Sequence, residues 1–261
     1  MLYPSKVKHK LAVQILPSFI RTPLFGYRGT DSVSFSPMDP DWISWQSAYL
    51  NFYSETQTKG IGGFITRLGY KNLSRIQLDD KIVLEIGPGS LPHRNLWNGT
   101  PQLFISVDVD QQFHQTAKEK SKTNFRAITP DRNDFKIPEP SDSVDIIISF
   151  YSLEHLNSLE SRVNEFYRIL KPGGLIVGAV PNEGGLAWGL ARYFGTRRWI
   201  KKRYNIDYDK IIAWEHPNYV DQVQKILDSK FYRKEWTQYP FNLLRSMNLN
   251  LISSFTYLKL K

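Results

Sequence analysis

The sequence predicts an α/β fold in which helices cover a mostly parallel β-sheet. Three observations predict this fold. Short, continuously apolar runs typical of buried strands recur from residue 81 onward, helix-competent segments separate them, and a glycine-rich turn follows the first run. Strands that alternate with helices form βαβ units, whose strands are parallel and whose crossovers are right-handed.

The composition is that of an ordinary globular chain. The 261 residues are 41% hydrophobic and 23% charged, which suits one domain with additions. The absence of cysteine excludes a disulfide scaffold, a thiolate metal site and a cysteine nucleophile, and it fits a cytoplasmic location. No uncharged apolar run approaches the roughly 20 residues that cross a bilayer. The formal net charge of +9 favours anionic partners but does not identify them.

Residues 1–78 are expected to form an extension and a helical lid. An apolar stretch at 11–16 follows three lysines, and for it we expect a short surface helix or arm that leaves room for peripheral contact with a membrane. A helix is predicted to begin at Asp39-Pro40-Asp41, where an aspartate can cap the first turn. A second helical stretch at about 61–76 leads into the first strand.

Residues 79–261 carry the predicted sheet. The strands are expected at 82–86, 103–107, 124–128, 144–150 and 175–180. The apolar spacing of residues 159–170 predicts a helix, which Lys171-Pro172-Gly173-Gly174 should stop.

The chain after the fifth strand is less regular. A long insertion at about 182–216 precedes a predicted helix at 219–227. Two β-rich stretches, 231–239 and 249–260, are expected to finish the sheet as an antiparallel pair.

The turn after the first strand suggests a cofactor site. Glycines there let a ligand approach the backbone at the carboxyl edge of the sheet. Pro92 stands where a dinucleotide fingerprint needs its third glycine, which disfavours an NAD-dependent enzyme, and Ser90-Leu91 replaces the Lys-Ser/Thr of a phosphate-binding loop. Glu85 suits a cationic ligand, and Asp108, ending the second strand, can accept both hydroxyls of a ribose. A cationic nucleoside without phosphates describes S-adenosylmethionine (SAM).

Five segments, in order, resemble motifs of the class I SAM-dependent methyltransferases, in their type 11/12-like small-molecule group. They span about residues 82–182, and the rest of the chain matches loosely. The matching segments are Val83-Leu84-Glu85-Ile86-Gly87-Pro88-Gly89-Ser90, Ser106-Val107-Asp108-Val109-Asp110, Asp142-Ser143-Val144-Asp145-Ile146-Ile147-Ile148-Ser149, Leu153-Glu154-His155-Leu156 and Phe166-Tyr167-Arg168-Ile169-Leu170-Lys171-Pro172-Gly173-Gly174.

The resemblance implies a Rossmann-like three-layer αβα sandwich, with a seven-stranded sheet that contains one antiparallel strand and with SAM lying across the strand tips. The implied cofactor contacts are Gly87, Pro88 and Gly89 near the methionine part, Glu85 near its amino group, Asp108 on the ribose, Val109 or Asp110 beside it, Asp134 or Asn133 at the adenine amino group, and Phe150 with Tyr151 along the cleft.

Two histidines are candidate general bases for an oxygen nucleophile. His155 follows the fourth strand near the expected substrate mouth, and His216 follows Glu215 at the end of the insertion. Either could instead be a packing or capping histidine. Some relatives hold a metal on a Glu-x-x-Glu-His arrangement at this place. Tyr151 occupies its first position, so we expect no metal site.

The methyl acceptor is less well specified. We expect a small-molecule or glycan-type acceptor, such as a phosphate-bearing nucleotide- or lipid-linked saccharide. The insertion carries Trp188, Tyr193, Phe194, Trp199 and Trp214, which could grip a ring or simply pack the extra helices. It also carries Arg192, Arg197, Arg198, Lys201, Lys202 and Arg203, which form either a solvated helix face or an anion-binding patch.

Two other functions remain open at this stage. A nucleic-acid methyltransferase is disfavoured because Ser149-Phe150-Tyr151-Ser152 follows the fourth strand instead of an Asn/Asp-Pro-Pro-Tyr/Phe motif. A SAM-binding module without catalysis would keep the same glycines and carboxylates. The sequence does not indicate an oligomeric state.

Overall fold

One seven-stranded sheet organises the part of the chain that the computed structural model describes, residues 10–29, 33–58, 60–131 and 135–260. The strands are β1 Ile82–Ile86, β2 Leu103–Val107, β3 Phe125–Ile128, β4 Val144–Phe150, β5 Leu170–Pro181, β6 Tyr232–Tyr239 and β7 Ile252–Leu258. Their order is β3-β2-β1-β4-β5-β7-β6. Strand β7 runs antiparallel to both of its neighbours, while the other pairs are parallel. The predicted sheet, with its one antiparallel strand, is confirmed.

Helices cover both faces of this sheet. They are α1 Ala12–Ile15, α2 Ser18–Phe25, α3 Pro40–Thr58, α4 Gly60–Gly69, α5 Gln111–Ser121, α6 Leu159–Ile169, α7 Leu186–Ala191, α8 Arg197–Tyr204, α9 Tyr208–Glu215 and α10 Val220–Lys230. None of the helices in the described ranges is long and apolar enough to span a membrane.

The central strands are buried on both sides, as their continuous apolar character predicts. Successive side chains of a strand point to opposite faces. Leu84 and Ile147 accordingly join the core that contains α6 and α10. Val83 and Ile146 join the core on the other face, with α5 and the 3₁₀ segment Tyr70–Arg75. The result is the predicted three-layer sandwich.

Strand β5 begins earlier than the sequence pattern predicts. Helix α6 ends at Ile169, and Leu170 already pairs with Val144 across the sheet. The Lys-Pro-Gly-Gly segment that was expected to stop the helix lies inside the strand, where the register with β4 shifts. The helix therefore passes into the strand without a loop.

The apolar stretch at 11–16 contains the expected short helix, α1, but this stretch is not confined to the surface. Leu11, Ala12 and Val13 are buried in the same core as the sheet. The amide of Val13 donates to the carbonyl oxygen of Gly184 at 3.0 Å, and the amide of Ala12 donates to Asn248 Oδ1 at 2.8 Å. Local hydropathy could not reveal this docking, because the receiving residues lie more than 170 positions away in the chain.

The insertion packs with α3 to form a cap over the carboxyl edge of the sheet. A third core, distinct from those on the two sheet faces, consists of Trp45, Ala48, Ile200, Ile206, Tyr208, Ile211 and Ile212. The helix predicted at about 61–76 corresponds to α4, which lies beside α3. It ends earlier than expected, at Gly69, and the 3₁₀ segment Tyr70–Arg75 follows it.

Candidate functional site

A cleft of about 840 Å³ opens at the carboxyl ends of β1, β2 and β4, beneath α3. This is the edge where open α/β sheets bind ligands. Two groups of residues line it together. The first is the glycine turn with Asp108, at the strand ends, and the second is Trp42, Trp45 and Tyr49 of α3 with His155.

The glycine turn allows the backbone to face the cleft. Gly87 and Gly89 have φ angles of +63° and +52°, which residues with a Cβ rarely adopt. A Cβ on Gly87 would lie 2.6 Å from Ser152 Oγ, which itself donates to the carbonyl oxygen of Ile86 at 2.8 Å. Close approach of the β4 end thus requires glycine at this position.

Glu85 holds one buried carboxylate oxygen without a partner. Its Oε1 lies 2.7 Å from His93 Nε2, and Trp97 Nε1 donates to His93 Nδ1 at 3.3 Å. The histidine therefore carries its proton on Nε2 and donates it to Glu85. Glu85 Oε2 is buried and has no hydrogen-bond partner among the described residues. Burying such an oxygen is costly, so the arrangement suits a cationic ligand group.

Asp108 ties the end of β2 to the glycine turn. The amide of Asp110 donates to its Oδ1 at 2.9 Å, and the amide of Gly89 also donates to its carboxylate. Burial raises the pKa of the Asp108 carboxyl, although the two amides oppose this shift. A carboxylate that lines the cleft in this way can accept hydrogen bonds from vicinal hydroxyls.

The structure brings most of the predicted cofactor residues together. Those that line the cleft are Glu85, Gly87, Pro88, Gly89, Asp108, Val109 and Phe150. Asp134 and its alternative Asn133 lie outside the described residues. His155 also lines the cleft, whereas His216 stands behind it, with the two imidazole centroids 4.2 Å apart.

A buried ion network supports His216. Its Nδ1 hydrogen-bonds to Glu183 Oε1, and Arg28 forms an ion pair with Glu183 Oε2. Burial opposes protonation of His216, but the Glu183 carboxylate outweighs burial and raises the pKa of His216. Burial likewise opposes ionisation of Glu183, yet His216 and Arg28 together lower its pKa.

His155 has the opposite electrostatic environment. Its ring is partly exposed at the mouth of the cleft, and its Nδ1 donates to the carbonyl oxygen of Glu215 at 3.1 Å. Burial of the imidazole among its neighbours, and then the adjacent His216, lower the pKa of His155. The ring is therefore neutral near pH 7, and Nε2 carries its lone pair.

The sequence did not single out three ionisable residues that lie around His216. Glu183, Arg28 and Glu154 form the surroundings of His216, and burial raises the pKa of Glu154 to about 8. The available signal was topological: Glu154 follows β4 and Glu183 follows β5, so both lie at the carboxyl edge of the sheet. Nothing in the sequence placed Arg28 beside them.

The same place offers three atoms of metal-ligand type. One ring nitrogen each of His155 and His216 and a carboxylate oxygen of Glu215 lie within 4.8 Å of one another. Metal binding needs both imidazoles neutral. The raised pKa of His216 opposes this, and Glu215 Oε1 already accepts from Trp45 Nε1 at 2.9 Å. That no metal ion binds at this place therefore stays a prediction.

The basic cluster of the insertion divides into two parts. Arg192 and Arg197 both bind Asp209, with Arg192 Nη1 at 2.5 Å from Oδ1. These two guanidinium groups are structural and do not form an open phosphate patch. Arg198 and the residues 201–203 remain exposed on α8. Most insertion aromatics pack against the added helices, while Phe194 is 61% exposed.

Comparisons with known proteins agree with this geometry. A family model described as a methyltransferase domain matches residues 84–178. A probable S-adenosylmethionine-dependent methyltransferase of Mycolicibacterium smegmatis is 38% identical over 107 residues, which are 39% of this chain and 38% of that protein. A malonyl-[acyl-carrier protein] O-methyltransferase of Yersinia pestis is 27% identical over 105 residues, 40% of this chain and 38% of that protein. The chain thus matches well under half the length of these curated relatives.

The fold has close counterparts among solved structures. The N-methyltransferase NodS of Bradyrhizobium japonicum, solved in complex with S-adenosyl-L-homocysteine (SAH), aligns with a TM-score of 0.55. The alignment covers 84% of this chain and 99% of that one at 16% identity. A methyltransferase of Mesorhizobium loti aligns with a TM-score of 0.52 at 12% identity, covering 74% of this chain and 98% of that one.

Proposed function

We propose that this chain is a class I SAM-dependent methyltransferase that methylates a small-molecule or glycan-type acceptor, such as a nucleotide- or lipid-linked saccharide. The observation that carries the cofactor assignment is the orphaned Glu85 Oε2, which shares one cleft with Asp108. A ligand that is cationic at one end and bears ribose hydroxyls at the other matches both carboxylates.

The charged and polar groups of the cleft are complementary to those of SAM. Glu85 would bind the ammonium of the methionine part, the backbone at Gly87 and Gly89 would lie against it, and Asp108 would accept the ribose hydroxyls. Val109 and Phe150 would flank the nucleoside. When bound, SAM supplies a methyl group on a sulfonium centre, which is open to in-line displacement by a nucleophile.

The aromatic residues of the cleft support a ring-shaped acceptor. Trp42, Trp45 and Tyr49 come from α3, and Trp45 and Tyr49 meet edge to face with centroids 5.8 Å apart. Flat apolar surfaces with a polar rim suit the faces of sugar rings. These residues belong to the predicted helical lid rather than to the insertion.

His155 would act as the general base in this cleft. Its neutral Nε2 can take a proton from an acceptor hydroxyl as the oxygen attacks. Glu183 raises the pKa of His216 and so favours its cationic form, which would disfavour protonation of His155, because two adjacent cations repel each other. The proton would then pass readily to solvent at the exposed mouth of the cleft.

Calorimetric titration of the purified protein with SAH, with NAD as control, tests the cofactor proposal. We expect SAH to bind with micromolar affinity and NAD not to bind. Asp108→Ala should weaken SAH binding tenfold or more, on the order of 1.4 kcal/mol. Absence of SAH binding to the folded protein would refute the proposal, and an unchanged affinity in Asp108→Ala would refute the ribose assignment.

Turnover with a panel of saccharide and small-molecule acceptors tests the proposed acceptor class and the role of His155. His155→Ala should lower turnover at least about a hundredfold if the base acts directly, and should leave SAH affinity unchanged. Normal turnover in this variant would remove His155 as the base. Glu160→Gln, an exposed change on α6 outside the cleft lining, serves as the control and should leave both turnover and SAH affinity unchanged.

A further inference from the structure

Three separate segments without a single carboxylate meet at one end of the molecule. Residues 10–29, 186–204 and 240–249 contain no aspartate or glutamate, although the whole chain has 25 acidic residues. Their contacts are direct. The amide of Ala187 donates to the carbonyl oxygen of Asn248 at 2.8 Å, and Arg197 Nη1 donates to that of Pro23 at 2.6 Å.

This end of the molecule is the carboxyl edge of the sheet. Residues 186–204 follow the end of β5, and residues 240–249 connect the end of β6 to the start of antiparallel β7. The cofactor cleft opens along the same edge. The opposite edge, where β7 ends, is therefore remote from all three segments.

The three segments expose large apolar side chains to solvent. Phe19 is 76% exposed, Phe194 61% and Leu243 91%, one from each segment. Ile15 and Leu244 add 58% and 52%. Exposed apolar side chains beside basic residues are typical of surfaces that enter a lipid interface.

Cations surround these apolar side chains. The exposed basic residues of the three segments are Lys10, Arg198, Lys201, Lys202, Arg203 and Arg245. The Arg198 guanidinium lies over the ring of Phe194, 5.1 Å from its centroid, so a cation and an apolar anchor are adjacent. Basic residues next to apolar anchors are attracted to anionic lipid headgroups by about 1 kcal/mol each.

We propose that this face, defined by residues 10–29, 186–204 and 240–249, docks on the surface of an anionic lipid bilayer. The apolar side chains would enter the headgroup region, and the cations would bind lipid phosphates. Docking would bring the carboxyl edge of the sheet close to the membrane. The proposal concerns where the protein sits and does not depend on the methyl-transfer proposal.

Co-sedimentation of the full chain with lipid vesicles tests the proposal. We expect binding to phosphatidylcholine vesicles that contain phosphatidylglycerol, little binding to pure phosphatidylcholine, and release as salt shortens the range of charge attraction. Equal binding to both vesicles, or binding to neither, would overturn it. Failure to bind either vesicle together with binding to an acidic protein or to RNA would assign the face to that partner instead.

Matched variants locate the contact. Leu243→Glu should weaken vesicle binding about tenfold or more, whereas Leu260→Glu, an equally drastic change beyond the end of β7, should not. The double variant Lys201→Glu with Lys202→Glu should also weaken vesicle binding. The double variant Lys225→Glu with Lys230→Glu on α10 is the charge-matched control and should bind vesicles like the parent. Unchanged thermal unfolding establishes that each variant is folded. Equal losses in test and control variants would refute this face as the contact.

Discussion

Individual carboxyl groups in this protein are placed in very different environments by neighbours distant in sequence. Asp108 is shielded from water yet receives two backbone amides, Glu85 keeps one oxygen unsatisfied, and Glu154 is buried with Oε2 lacking a partner among the described residues. Burial raises the pKa of the Asp108 and Glu154 carboxyls. Two predictions concern them.

The affinity for SAH should depend on pH through Asp108. Burial raises the pKa of this carboxyl, and only its ionised form can accept both ribose hydroxyls. We therefore expect the affinity to fall as the pH is lowered, beginning at a higher pH than it would for an aspartate with the ordinary pKa of about 3.9. Calorimetry at a series of pH values from neutral downward measures the effect. Asp108→Asn should bind weakly with a flat profile, and an equally steep profile in this variant would assign the titration to another group.

The stability of the protein should fall with rising pH through Glu154. Burial raises the pKa of this group to about 8, so the folded chain keeps a proton that the unfolded chain releases above about 4.3. Because the folded state binds more protons between these pH values, the free energy of unfolding decreases there by up to about 1.4 kcal/mol per pH unit.

Glu154→Gln should remove this dependence. Urea unfolding should show the variant to be more stable than the parent at about pH 8 and little different near pH 5. Glu160→Gln, on the exposed side of α6, is the matched control and should follow the parent at both values. A variant that loses stability equally at both values would contradict the assignment.

At the scale of elements, one aspartate connects the helices of the insertion to one another and contacts the chain after α2. Asp209 at the start of α9 binds Arg192, which follows α7, and Arg197, which begins α8. Its side chain also packs against Gly26, where an added Cβ would lie 2.4 Å from Asp209 Cγ. The chain between α2 and α3 therefore packs against the insertion. Because Arg192 and Arg197 bind Asp209, these two of the six clustered basic residues of the insertion are not available to a ligand.

Asp209→Asn should therefore be strongly destabilising. It leaves the Arg192 guanidinium, whose side chain is 4% exposed, without its buried counter-charge. Loss of one partner of a buried ion pair costs about 3–5 kcal/mol. Urea unfolding measures the loss, with Glu119→Gln on the exposed face of α5 expected to stay within about 0.5 kcal/mol of the parent. Similar stability of the two variants would show that the pair does not anchor the insertion.

At the scale of the whole molecule, ligand binding and folding are coupled through the carboxyl edge. The cleft takes residues from three strands and from α3, so a ligand there binds only the folded chain. SAH at a hundred times its dissociation constant should raise the free energy of unfolding by about 2.7 kcal/mol, and NAD should have no effect. Thermal unfolding checks this. An SAH-independent midpoint at saturating SAH would show that SAH does not bind preferentially to the folded chain and would contradict this coupling.

The sequence by itself determined the sheet, the order of its elements along the chain and which of the predicted cofactor residues lie together in the cleft. These depend on local patterns: apolar runs for β1 and β4, a glycine turn where Gly87 needs a positive φ, and a carboxylate at the end of β2. In a parallel sheet, strand ends meet at one edge, so residues after β1, β2 and β4 could be placed together without coordinates.

Only the tertiary structure decided the surroundings of His155 and His216 and the docking of residues 11–13. Glu183 lies 155 positions after Arg28 and 33 positions before His216, and no sequence periodicity connects these residues. Their protonation states follow from burial and from charges across these contacts. A buried segment or a shifted pKa depends on what the rest of the chain brings beside it, and local sequence carries no record of that.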